Sequence, residues 1–143
     1  MGSGAESISF TEEVLRDCRT LGRVRVVLRN GFGVVEAFVD LADLSLRDGW
    51  AHLIDKGFHV HVDIASIAGV RFVEPEAAET CRGAAALWFE SGAGTPLLVV
   101  LLDQECGAER IDQRRAFDRL RASYGARRAL VSLAEIPAAT AMS

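Results

Sequence analysis

Three features of this chain predict an α+β domain, an antiparallel β-sheet of about six or seven strands built from hairpins and flanked by an N-terminal and a C-terminal helix. Apolar residues recur at helical spacing near both ends, over 11–21 and 109–125. Between those segments the period changes to two, in paired runs joined by turn residues. The order itself, helix then hairpins then helix, is that of an α+β fold. At 143 residues the chain suits one domain with a core of its own. We expect a disordered N-terminus over 1–9, a single domain over 10–136 and a flexible tail over 137–143.

In the first helix, "TEEVLRDCRTLG", Thr11 is a candidate N-cap, Glu12 and Glu13 suit the first turn, and Gly22 closes it. Phe10, Val14, Cys18 and Leu21 form its apolar stripe. "RVRVVLR" (23–29) and "VVEAFVD" (34–40) flank "NGFG", a strong hairpin signal. Val24, Val26 and Leu28 face one way there, and Arg23, Arg25 and Arg29 the other. "WAHLI" (50–54) and "FHVHV" (58–62) form a second hairpin around "DKG". A three-residue loop with Gly57 in the left-handed position pairs His52 with Val60, which turns His52 away from His59 and His61. One residue of slip would gather all three histidines on one face. "DIASIA" reads as a corner, "GVRFVE" (69–74) as a strand, and "EPEAAETCRG" as an acidic connection. "AAALWFES" (84–91) and "PLLVVLLD" (96–103) make a third hairpin. The second of these runs is apolar throughout, as a strand covered on both faces would be. "ERIDQRRAFDRLRASYG" is the closing helix, with Phe117, Leu120 and Tyr124 on one stripe.

The net charge of −4 argues against nucleic acid as a partner. The charge is uneven: 7 basic against 3 acidic groups over 110–143, and 9 against 17 before that. Cys18, Cys81 and Cys106 are odd in number and lack C-x-x-C spacing, so they read as reduced thiols of a cytoplasmic protein. The longest apolar run, 96–102, is too short to span a membrane.

No H-E-x-x-H, G-x-S-x-G or P-loop occurs, and "GFGVVE" lacks the third glycine of a dinucleotide fingerprint. Asp40, Asp43 and Asp63 read as turn residues. The remaining chemistry lies in "HVH". His59 and His61 share one face of a strand, with Cα atoms about 7 Å apart. Imidazoles so placed could share a metal or line a haem pocket; the alternative is the polar side of a half-buried strand. His52 reads as a half-buried histidine, and Trp50, Phe72, Trp88 and Phe89 as core or pocket wall.

The runs "RNGFGVVEAFV", "DGWAHLIDKGFHVHVDIASIAGVRFVE" and "AALWFESGAGTPLLVVLLD", with the closing helix, resemble the haem-utilisation proteins of the HemS/ChuX type over about residues 20–124. The resemblance implies large antiparallel sheets flanked by helices, haem as ligand, a cytoplasmic location, and pairing of short members into homodimers. His59 and His61 are then the candidate haem or metal ligands, and Arg110 and Arg114, with Arg115, the candidate partners of the propionates. The chain departs from the family in carrying no histidine on its first helix. The leading expectation is a haem-binding or haem-trafficking protein without catalysis of its own. A haem- or metal-dependent enzyme and a dimeric scaffold that has lost haem are the alternatives.

Overall fold

The computed structural model describes residues 9–74, 85–102 and 111–125. Helix α1 (Phe10–Asp17) continues as a 3-10 turn to Leu21. Its N-cap is Ser9, not Thr11. Ser9 accepts from the Glu12 amide and the Glu12 carboxylate accepts from the Ser9 amide, a reciprocal capping box. Thr11 is instead buried inside the first turn. Val14, Leu15, Cys18 and Leu21 form the buried stripe, and Gly22, at φ 70°, turns the chain into the sheet.

The eight strands among the described residues form two antiparallel sheets where the sequence suggests one. Strands β1 (Arg23–Arg29), β2 (Val34–Asp40), β6 (Gly69–Val73), β7 (Ala86–Glu90) and β8 (Pro96–Leu102) make a sheet of order β2-β1-β8-β7-β6. Strands β3 (Ser45–Arg47), β4 (Trp50–Asp55) and β5 (Phe58–Asp63) make the other, in that order. β3 is the strand missing from the sequence reading; three residues show no period. Its signal is Asp48-Gly49, both at positive φ, the type I′ pair of a two-residue hairpin.

The alternation read from β1 holds: Val24 and Val26 are buried while Arg23 and Arg29 are exposed. The inner face continues through Leu98, Val100 and Leu102 on β8 and Leu87 and Phe89 on β7. Against the core lie Ala51 and Leu53 of β4, with Phe58, Val60 and Val62 of β5 half-buried beside them. β8 is central, as its apolar run predicts.

The closing helix α2, helical over 111–125, buries Ala116, Phe117, Leu120 and Tyr124. Phe117 meets Phe72 edge to face, and the Tyr124 hydroxyl donates to Asp17 of α1. Gln113, which is buried, donates to the carbonyls of Leu21 (2.8 Å) and Arg23 (2.6 Å). Those oxygens flank the turn between α1 and β1, so one side chain ties both helical ends of the domain to its first strand. Short corners complete the frame. Asp40 and Asp63 each cap a 3-10 turn by accepting from the amide two residues on, the turn roles the sequence suggests.

Candidate functional site

The β4–β5 hairpin places the histidines, and its turn decides how. The loop has two residues, Lys56 (φ 33°) and Gly57 (φ 82°), a type I′ turn, not three residues with a bulge. Asp55 therefore pairs with Phe58, Ile54 with His59, Leu53 with Val60 and His52 with His61. The expected pairing of His52 with Val60 is corrected by one residue, and all three histidines share the outer face of the three-stranded sheet. A half turn of side-chain direction follows from that single step, because the period along a strand is two.

On that face the His52 and His61 Nδ1 atoms stand 2.6 Å apart. Their rings meet edge to face with centroids 4.8 Å apart. The His59 ring lies 6.5 Å from His61, nearly perpendicular to it. His59 and His61 are exposed and His52 is half-buried. The converged pair is thus the cross-strand one, not the two histidines adjacent in "HVH". Among the described residues no group of three or more His, Cys, Asp or Glu gathers around one metal-sized site.

A groove of about 490 Å³ opens beside His61. It is lined by Leu28, Arg29, Asn30, Phe32, Gly33, Val34 and Val35 of the β1–β2 hairpin and by Val60 and His61 of β5. Leu28 and Val35 face each other across the hairpin, on the sheet's inner side. Asn30 shapes the tip: its Oδ1 accepts from the Phe32 amide at 2.7 Å and the Gly33 amide at 3.1 Å. Phe32 is held fully exposed as a result, and Val34 and Val35 are each 54% exposed. Residues of the hairpin tip, Arg29 among them, and of the edge strand β5 thus border one opening. Sequence reading did not single out Arg29, which borders this groove. Its only local signal was an arginine ending a strand before Asn-Gly, and the groove joins segments some thirty residues apart.

The other candidates take different places. Arg114 donates to Glu74 at 2.6 Å, pairs with Asp118 at 3.2 Å and lies over the Phe117 ring. Arg121 reaches the same Glu74 carboxylate. That hydrogen bond from Arg114, opposed by desolvation and aided by both guanidinium charges, holds the Glu74 carboxyl below its usual value. Arg114 therefore fastens α2 to the end of β6. Arg115 is exposed. Arg110, Cys81, Cys106 and the residues from 126 onward lie outside the described residues. Burial, with the neighbouring Asp17 charge, pushes the Cys18 thiol far above its ordinary value, so it is an inert core residue. Phe89 is core, Trp88 is half-buried on the outer face of the large sheet under Arg71, and Trp50 is exposed near the histidines. No helix among the described residues is long and apolar enough to cross a membrane.

No family model and no curated protein matches the sequence. Solved structures do. The heme binding protein ChuX shares 18% identity at a TM-score of 0.66, over 84% of this chain and 74% of that one. A protein of Agrobacterium tumefaciens shares 19% at 0.65, over 79% and 66%. The heme degrading enzyme ChuS of Escherichia coli O157:H7 shares 18% at 0.62, over 78% of this chain but 31% of its own. This chain thus spans 66% to 74% of the first two and under a third of ChuS. The fold of this chain is that of the HemS/ChuX-like haem-utilisation proteins, two helices with antiparallel strands in two sheets.

Proposed function

We propose that this chain binds haem in the groove between the β1–β2 hairpin and β5, and carries it without transforming it, as a cytoplasmic haem-trafficking protein. The observation behind this reading is the set of residues that borders one opening: apolar Leu28, Phe32, Val34, Val35 and Val60, together with Arg29 and His61. A porphyrin needs each of them, for its ring, its propionates and its iron. The volume is within the range of small-molecule sites. Haem, if bound, would supply an iron centre that an imidazole could hold; His61 would be the ligand and His59 the alternative from the same strand. Arg29 takes the propionate role in place of Arg114, which is already held by Glu74 and Asp118. The haem-binding proteins that share the fold support the same reading.

We also propose a homodimer, formed through the outer face of the five-stranded sheet. Val27, Trp88, Val99 and Leu101 run across its centre, and Phe38 is 52% exposed at its edge with Arg23 over its ring. A two-fold axis through this stripe would set it against its own copy, as an isologous interface requires.

Titration of the purified protein with hemin tests the haem reading. The expected result is a saturable Soret shift at one haem per chain, weakened by His61→Ala and by Arg29→Ala. A shift unchanged in both variants would move the site elsewhere, and no shift would favour a scaffold that has lost haem. Breakdown of the bound haem on adding a reductant would instead make the protein an enzyme.

A further inference from the structure

We propose that the His52–His61 pair is a chelating site for a divalent late first-row metal ion, one that shares His61 with the haem groove and adds His52, which lies outside it. The two imidazole nitrogens stand 2.6 Å apart, within hydrogen-bond distance, and both are Nδ1. In the neutral pair one ring must carry its proton on Nδ1 and the other must present a lone pair there. If the first ring also moves its proton to Nε2, where the second already holds its own, two lone pairs face a common point with no net proton lost.

A zinc–imidazole bond is about 2.0–2.1 Å, so two nitrogens on one ion stand about 2.9 Å apart at a right angle and about 3.3 Å at a tetrahedral one. Opening the pair by a few tenths of an ångström is enough to admit the ion. Direct cross-strand pairing holds the two Cα atoms in register on a rigid ladder, so the ligands are preorganised. Imidazole suits copper, nickel and zinc, with copper bound most tightly of the divalent series. The face is open, so water fills the remaining positions. His59 stays outside the chelate, its ring 6.5 Å from that of His61 and edge-on to it.

His52 does not line the groove, and this separates the two readings. The test is calorimetric titration of the haem-free full chain with Cu²⁺ alone, after alkylating accessible thiols, alongside nitrogen hyperfine structure in the Cu²⁺ electron paramagnetic resonance spectrum. Wild type should bind one ion with two imidazole nitrogens. His52→Ala and His61→Ala should each weaken binding by about 100-fold, the loss of a chelating second ligand. His59→Ala should bind within about twofold of wild type, since it gives up no ligand. His52→Ala should keep its hemin response while losing Cu²⁺. Melting curves without metal confirm that each variant is folded. Undiminished Cu²⁺ binding in His52→Ala, a loss confined to His59→Ala, or no binding by wild type would each overturn the proposal. None of those results bears on the hemin titration.

Discussion

Individual side chains on β5 divide cleanly by face, and the division predicts opposite mutational behaviour at adjacent positions. Val60 packs half-buried against the core, while His59 and His61 point outward. Val60→Asp should cost about 2–4 kcal/mol, a large share of a typical total of about 5–15 kcal/mol, by placing a carboxylate against apolar neighbours. His59→Ala and His61→Ala should each stay within about 0.5 kcal/mol of wild type. Urea denaturation measures all three; the reverse pattern would mean that the faces are inverted. Glu74 makes a pH prediction. Its carboxyl is held below the ordinary 4.5, first by the hydrogen bond from Arg114. A lowered folded value adds stability that is present above 4.5 and is lost as pH falls below it. The group is on the surface, so Glu74→Gln should cost at most about 1 kcal/mol at neutral pH. The gap to wild type should close in acid, and denaturation at pH 7 and pH 3 shows whether it does.

At the scale of elements, the hairpins were legible because period-two patterning and Asn-Gly are local signals. The β4–β5 register was not. "DKG" admits a two-residue or a three-residue loop, and only the backbone at Lys56 distinguishes them. Lysine is a poor occupant of a left-handed position, so local propensity pointed the wrong way and pairing along the strands overrode it. The same conflict makes a prediction. Lys56→Asn creates the Asn-Gly pair favoured in a type I′ turn and should stabilise the protein by about 0.5 kcal/mol. Gly57→Ala meets no steric neighbour, so its cost should be the backbone strain alone, about 1 kcal/mol. Thermal melting of both variants checks the turn type; a stabilising Gly57→Ala would argue against it. The Ser9 cap was readable too, since Ser9-x-x-Glu12 is the capping-box spacing. Thr11 drew attention because it also belongs to the capping residue types.

For the whole molecule, the fold class could be read from the order of elements, but the split into two sheets could not, because it depends on which strand edges meet. The groove was illegible for the same reason: Arg29 and His61 come together only when the β1–β2 hairpin and β5 do. The proposed dimer belongs to this scale. Leu101→Arg, on the outer face of central β8, should give monomers by light scattering at micromolar concentration while leaving the melting temperature of the monomer fold nearly unchanged. A dimer that survives this substitution would place the interface elsewhere. The central claim is the position of the haem site. Titration of ¹⁵N-labelled protein with gallium protoporphyrin, a diamagnetic stand-in for haem, tests it most directly. Amide shifts should concentrate on residues 28–35 and on Val60 and His61. Shifts confined to α2 or to the outer face of the five-stranded sheet would contradict the account.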